Sequence, residues 1–402
     1  MSGPGLAESL KGQPRVVWVT AFAAVIAFMG IGLVDPILLS IAEGLQASPS
    51  QVTLLFSSYL GVQVLAMLVT GACASRFGAK RTLLAGLGLI VVATVACALA
   101  GSIGELVGLR AVWGLGNALF IATALSVIVG AASGGQQGAI VLYEAALGLG
   151  LSTGPLLGAL LGSVSWRGPF AGAAVLMAVA LVLCATRLRS DRHEPRERVR
   201  VLDPLKALRH RGLLLTSIGS ALYTAAFFVV LAWSPFVLGW GAVPIGLVFF
   251  GWGLCVAVSG VVLAPKLAGR LGERHATIVA VLAYAALMAA MVIEDNVVLV
   301  VAVVLSGVAS GLLNTLFTGT AMSASGAPRP VASAGYNFCR WLGGALAATL
   351  VGHVAEWFGW SRAPFLVAAV LCVVAAGVLA LNRTRRDPRV VPAEAVLVGG
   401  EA

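Results

Sequence analysis

Four charged side chains lie inside long apolar runs of the sequence, where a charge is costly and marks a functional candidate. They are two acids, Asp35 and Glu144, and two bases, Arg110 and Arg340. Loss of water favours the neutral form of a carboxyl group, and a nearby arginine favours the ionised form. An acid whose partner moves can therefore load and release a proton. We expect Asp35 and Glu144 to carry protons and Arg110 to tune Asp35; the alternative is a permanent ion pair that specifies helix packing.

A second set of side chains at the same depth is suited to line a substrate cavity. Asn117 lies seven residues after Arg110, on one helical face with Trp113. Hydrogen bonding between helices is the commoner use of such amides and remains the alternative. The predicted cavity residues are Trp113, Asn117, Tyr223, Asn314, Tyr336, Asn337 and Arg340, with Gln63 a weaker candidate.

Signatures of soluble enzymes are missing from the sequence. It contains no HExxH zinc motif, no GxxxxGK[ST] phosphate loop and no GxGxxG opening a helix. The six cysteines show no CxxC spacing and suit packing better than disulfides or metal. We therefore expect no enzyme activity, no cofactor and no metal. Without a phosphate-binding domain for ATP, an ion gradient or the substrate gradient would drive transport.

Membrane helices are the elements that must position these residues. Hydrophobic residues make up 59% of the 402 residues and charged residues 10%, whereas soluble domains carry about 25% charged residues. A span needs about 20 apolar residues. Twelve spans are predicted, at 16–41, 50–73, 81–101, 106–131, 138–163, 168–187, 213–239, 243–267, 276–293, 297–322, 331–354 and 360–382.

The basic residues predict the orientation of these spans. Of the 26 lysines and arginines, 22 fall on one side of the predicted membrane. The opposite side has only Arg167 and Arg362, and Arg110 and Arg340 fall within spans. By the positive-inside rule both termini are cytoplasmic, in a multi-pass protein of the bacterial plasma membrane. The net charge of +10 thus indicates orientation in a lipid bilayer, not nucleic-acid binding.

The spans divide into two similar halves. The segment Gly71–Arg81 is echoed by Pro265–His275 at an offset of 194 residues. Two repeats in the same orientation imply a pseudo-twofold axis along the membrane normal. We predict an N-terminal six-helix bundle (1–187), a cytoplasmic linker (188–212), a C-terminal six-helix bundle (213–382) and a cytoplasmic tail (383–402).

Glycines and basic residues suggest where the bundles pack and move. The fifth span carries a glycine at every fourth position and a proline, which favour close helix approach and a bend. These residues are Gly150, Gly154, Pro155 and Gly158. The loop between the second and third spans carries Gly71, Arg76, Gly78, Lys80 and Arg81.

These motifs resemble those of the major facilitator superfamily, specifically its twelve-span drug:proton antiporters, over nearly the whole chain. The loop residues resemble the family's signature loop, where they imply a cytoplasmic gate. Arg110 resembles an arginine implicated in proton coupling, and Asp35 the acid that accompanies it. The glycine-proline motif resembles one associated with exporters. The family normally has an acid where Ser75 stands, so we expect the loop to pack the bundles but to latch them differently.

The sequence thus predicts an all-α integral membrane protein that exports small hydrophobic or amphipathic compounds in exchange for protons. Its expected partners are a small-molecule substrate, protons and the lipid bilayer, and we expect a monomer. A dedicated transporter of one metabolite, such as a sugar, amino acid or antibiotic, is the first alternative. A transporter-like receptor without turnover is the second.

Overall fold

The structure is a computed structural model that describes residues 13–47, 49–131, 136–188, 201–324 and 329–381. Within these ranges the chain forms helices and connecting turns, without strands. The longer helices are Arg15–Gly32, Pro49–Phe77, Ala79–Leu99, Ile103–Ala131, Gln136–Gly162, Gly168–Arg187, Arg211–Leu238, Ala242–Val258, Glu273–Ala290, Asn296–Ser323, Arg329–Phe358 and Ala363–Leu381. Shorter elements are Asp35–Ile37, Leu38–Leu45, Asp203–Ala207, Ser259–Leu263 and Ala264–Leu271.

Twelve helical segments are long and apolar enough to cross a membrane, which confirms the predicted number of spans. We number the spans one to twelve in chain order; the eighth comprises Ala242–Val258, Ser259–Leu263 and Ala264–Leu271. Residues 189–200 of the predicted linker and the whole tail at 383–402 lie outside the described residues. The described end of the linker includes the short helix Asp203–Ala207, which packs on the eleventh span.

The first span is shorter than predicted. The sequence predicts one helix over 16–41, whereas the α-helix ends at Gly32 and a 3-10 turn follows at Asp35–Ile37. Pro36 explains the interruption, because its ring disfavours α-helical geometry at the preceding residue and it has no N–H to donate. The chain then resumes as the helix Leu38–Leu45. Asp35 therefore lies on a helix break rather than inside a helix.

The eighth span is also irregular. Its middle, Ser259–Leu263, forms a π-helical turn. The hydroxyl of Thr315 in the tenth span donates to the Gly260 carbonyl within that turn, at 3.3 Å. Such turns occur often at functional sites. Here the irregular backbone is accommodated by a polar side chain from a neighbouring helix.

The spans pack as two six-helix bundles, with the first six in one and the last six in the other. In the first bundle the fourth span packs on the second and third, and the fifth packs on the first. In the second bundle the seventh packs on the eleventh and twelfth, and the tenth on the eighth and ninth. The bundles meet mainly where the fifth span packs on the eighth and the second on the eleventh.

The internal repeat is present in the backbone. Gly78 and Gly272 both have positive φ, 93° and 75°, with ψ of 150° and 152°. Each ends one helix and begins the next, a conformation that favours glycine. Lys80 Nζ donates to the Leu188 carbonyl at 2.5 Å, and Arg274, its counterpart, donates to the Ala380 carbonyl at 2.5 Å. A cation thus caps the carboxyl end of the last helix of each bundle, where the helix dipole favours it.

The opposite ends of the bundles repeat a second contact. Arg167 donates to the Ala100 carbonyl at 2.9 Å, at the end of the third span. Arg362 donates to the carbonyls of Met291 and Ile293, at the end of the ninth span. These two arginines are the basic residues that the charge count places on the outer side. Both arginines donate hydrogen bonds to main-chain carbonyls at the carboxyl end of a neighbouring helix.

Candidate substrate and proton site

Arg110 is fully buried inside the N-terminal bundle. Its guanidinium lies 4.3 Å from the ring centre of Tyr59 and 4.7 Å from that of Trp113. The same group donates to the carbonyls of Leu55 and Gly30, each at 3.4 Å. Cation–π contacts gain strength when they are desolvated. Arg110 is therefore held between the first, second and fourth spans.

Tyr59 joins Arg110 to a buried amide. Asn117 Nδ2 donates to the Tyr59 hydroxyl at 2.6 Å and to Gln63 Oε1 at 3.4 Å. The structure thus brings the predicted residues Arg110, Trp113 and Asn117 together around Tyr59. Sequence reasoning missed Tyr59, although it lies four residues before Gln63 in the second span and so shares a helix face with it.

Glycines make room for this cluster. A side chain at Gly114 would overlap the backbone carbonyl of Tyr59, and one at Gly30 would lie 2.5 Å from the Trp113 ring. Gly30 and Gly114 therefore let the helices that carry Arg110 and its aromatic partners approach closely.

We expect Gly114→Ala to destabilise the protein. The added methyl would force the second and fourth spans apart, and overpacking of this kind costs about 1–3 kcal/mol. Thermal unfolding of the purified protein in detergent checks this. Gly108→Ala in the same helix is the matched control, because no heavy atom lies within 4 Å of that position. Equal melting temperatures for both variants would contradict the prediction.

A second polar cluster lies inside the C-terminal bundle. Asn314 Oδ1 accepts a hydrogen bond from Arg340 Nη2 at 3.0 Å and one from the Tyr223 hydroxyl at 3.1 Å. All three residues are buried, with exposures of 6% or less. They come from the seventh, tenth and eleventh spans. The structure thus joins three of the predicted cavity residues in one network.

The remaining cavity candidates are placed differently. The Tyr336 hydroxyl accepts a hydrogen bond from Ser220 at 3.2 Å and lies 3.5 Å from Thr318 Oγ1. Asn337 is half-buried and bonds to Ser333 in its own helix. Trp113 and Asn117 are fully buried in this conformation. That these side chains line a substrate cavity stays a prediction.

The structure gives the backbone of Asp35 and Glu144, while their side chains lie outside its description. The turn Asp35–Ile37 packs against the fifth span of its own bundle and against the seventh and eighth spans of the other. Glu144 lies in the helix Gln136–Gly162. Asp35 is thus carried by a segment at the junction of the two bundles.

The glycines of the fifth span pack against the first span. A side chain at Gly150 would lie 2.5 Å from the Val25 carbonyl, and one at Gly154 would lie 2.5 Å from the Met29 carbonyl. One at Gly158 would overlap the Leu33 carbonyl. These glycines therefore allow the fifth span to pack closely against the end of the first span, next to the turn that carries Asp35.

A different face of the fifth span closes onto the eighth. A side chain at Gly148 would lie 2.9 Å from the Ala257 backbone nitrogen, and one at Gly253 would overlap the Ser152 side chain. A second bridge joins Ser57 in the second span to Thr349 in the eleventh, through hydroxyls 3.2 Å apart. On the predicted topology these contacts lie in the middle and outer parts of the spans. If the termini are cytoplasmic, as the sequence predicts, the bundles are packed together on the outer side.

The loop after the second span orients helices without an acidic latch at Ser75. The Ser75 hydroxyl donates to the Ala72 carbonyl of its own helix at 2.9 Å. Arg76 lies 5.5 Å from the Phe77 ring, and Lys80 caps the sixth span. The role of Gly71, Arg76, Gly78, Lys80 and Arg81 in gating stays a prediction.

Twelve membrane-length helices in two packed bundles, each with a buried arginine, define a polytopic membrane protein. A model of the Major Facilitator Superfamily matches residues 20–348. The chain belongs to that superfamily, as its sequence motifs predict.

Individual relatives cover most of the chain. It is 46% identical over 376 residues to the multidrug efflux protein YfmO of Bacillus subtilis, spanning 93% of this chain and 94% of that protein. It is 29% identical over 280 residues to the class C tetracycline resistance protein of Escherichia coli, spanning 62% and 66%. The crystal structure of the human organic anion transporter MFSD10 superposes with a TM-score of 0.76 at 17% identity, covering 91% of this chain and all of that one. The last comparison supports the fold alone.

Proposed function

We propose that this protein exports small hydrophobic or amphipathic compounds from the cell in exchange for protons. The observation that carries the proposal is the 46% identity to a multidrug efflux protein over almost the full length of both chains. The tetracycline resistance protein among the relatives supports a drug as the kind of compound handled.

The buried residues supply a mechanism for proton coupling. Arg110 is a fixed positive charge inside the N-terminal bundle, and it contacts the first span at Gly30, one and a half turns before Asp35. The turn that carries Asp35 touches both bundles. When the bundles rock, Asp35 changes surroundings while Arg110 stays with its aromatic partners. Glu144, in the fifth span at the bundle interface, is the second proton carrier.

Residues of both bundles contribute to substrate binding and to gating. The clusters around Asn117 and Asn314 supply polar anchors in an otherwise apolar path, which suits recognition by fit. The glycine-proline face of the fifth span is the pivot, and the segment Gly71–Arg81 forms the cytoplasmic gate.

The protein acts as a monomer in the plasma membrane, with both termini in the cytoplasm. The bundles comprise residues 1–187 and 213–382, joined by the cytoplasmic linker at 188–212.

Purified protein in liposomes with an imposed pH gradient tests the proposed function. We expect uphill movement of several unrelated hydrophobic dyes, abolished by an ionophore that collapses the gradient. Matched liposomes without protein are the control. Transport of a single compound from a broad panel would favour a dedicated exporter, and binding without flux would favour a receptor.

A further inference from the structure

The two bundles differ in the charge of their interiors. The six spans of the C-terminal bundle contain only two carboxylates, Glu273 and Glu356, and both lie within three residues of a span end. Arg340 is the ionised residue farthest from the span ends in this bundle. The N-terminal bundle, in contrast, contributes Asp35 and Glu144. A cation would therefore find no carboxylate partner in the interior of the C-terminal bundle.

The hydrogen bonds of Asn314 fix which way its amide points. Its Oδ1 accepts from both Tyr223 and Arg340, which are donors at these positions. An amide nitrogen could not take the place of that oxygen, because the Arg340 guanidinium can only donate. Asn314 Nδ2 must then lie on the other side of the amide carbon. It is buried and has no hydrogen-bond partner within the described part of the chain.

Two fully buried residues, Tyr284 and Ser310, accompany Asn314 in the interior of the bundle. Tyr284 packs edge-on against the Tyr223 ring, with ring centres 5.3 Å apart, and Ser310 lies about one helical turn before Asn314. The buried Asn314 Nδ2 calls for an explanation, because buried polar groups without partners are rare.

The geometry points to this cluster as the subsite that binds an oxygen acceptor of the substrate, such as a carbonyl, phenolate or carboxylate oxygen. Asn314 Nδ2 is a buried donor beside the positively charged Arg340 guanidinium, and an acceptor is the group that satisfies it. A cationic group finds no carboxylate there and is left to the acids of the other bundle. The inference rests on the proposed export function and adds which chemical group the C-terminal bundle selects.

Two fluorescent dyes in proteoliposomes test the subsite: fluorescein, which carries a carboxylate, and ethidium, a cation. We expect Asn314→Leu to lower fluorescein transport about tenfold, because a hydrogen bond to a charged group is lost, and to leave ethidium transport within about twofold. Asn296→Leu is the matched control, since Asn296 is exposed at the first residue of the same helix, Asn296–Ser323. It should leave both dyes unaffected.

Binding affinity for both dyes, measured by fluorescence polarisation on the same preparations, separates this inference from the proposed function. Affinity for fluorescein that depends on Asn314, without flux of either dye, would contradict export and support the subsite. An equal loss for both dyes would make the cluster structural and overturn the inference. An unchanged affinity for fluorescein would overturn it as well.

Discussion

Gly253→Leu is expected to abolish transport by holding the outer side of the protein open. Any side chain at Gly253 overlaps Ser152 of the fifth span, and the contact joins the two bundles. A leucine is too large to be absorbed by a small shift of two closely packed helices. The bundles would then separate on the outer side, and the cycle would stop there. Flux of dye into proteoliposomes measures the loss.

Chemical labelling at position 57 tests whether transport is lost because the outer side of the protein stays open. A cysteine introduced at Ser57 should react with a membrane-impermeant maleimide from outside several times faster in the Gly253→Leu background. Gly251→Leu is the matched control, because its nearest neighbour, Val304, lies 3.9 Å from the added carbon. Equal labelling in both backgrounds, or equal loss of transport, would contradict the role of Gly253 in outer closure.

Asp35→Asn and Glu144→Gln are each expected to uncouple transport from the proton gradient. An amide has nearly the same shape as the acid but neither gains nor loses a proton in the working range of pH. The rate of transport driven by an imposed pH gradient should fall by about tenfold or more, which corresponds to ~1.4 kcal/mol or more. Exchange of labelled for unlabelled substrate at equal pH should continue, because it needs no net proton movement.

Glu43→Gln is the control for these two variants. Glu43 is exposed on the helix Leu38–Leu45, close in sequence to Asp35 but outside the bundle interior. Its neutralisation should leave pH-driven transport intact. If pH-driven transport survives in both Asp35→Asn and Glu144→Gln, neither acid is a proton carrier and the assignment fails.

Much of the fold could be predicted from the sequence because the bilayer imposes a fixed length on each apolar segment. The twelve spans are confirmed for this reason. The repeat places Gly78 and Gly272 at equivalent positions, and both glycines have the same positive-φ backbone conformation. Arg167 and Arg362, the two basic residues that the charge count places on the outer side, each donate a hydrogen bond to the carboxyl end of a neighbouring helix.

The contacts of the candidate site were harder to predict, because apolar membrane helices carry little information about which face meets which neighbour. The glycines of the fifth span predicted close approach, but not that Gly154 would pack on the first span while Gly148 packs on the eighth. Tyr59 was missed because an aromatic residue in a span is ordinary by composition. The pairing of Asn314 with both Tyr223 and Arg340 depends on three spans distant in sequence.

The π-helical turn at Ser259–Leu263 is a difference between the two halves. A π turn holds about one residue more than an α turn, because its hydrogen bonds join residues five apart. The second span, the counterpart of the eighth in the first half, runs unbroken as the α-helix Pro49–Phe77. The wider turn packs on the tenth span and, less extensively, on the fifth. The two halves therefore share an arrangement of spans without sharing the backbone geometry of every span.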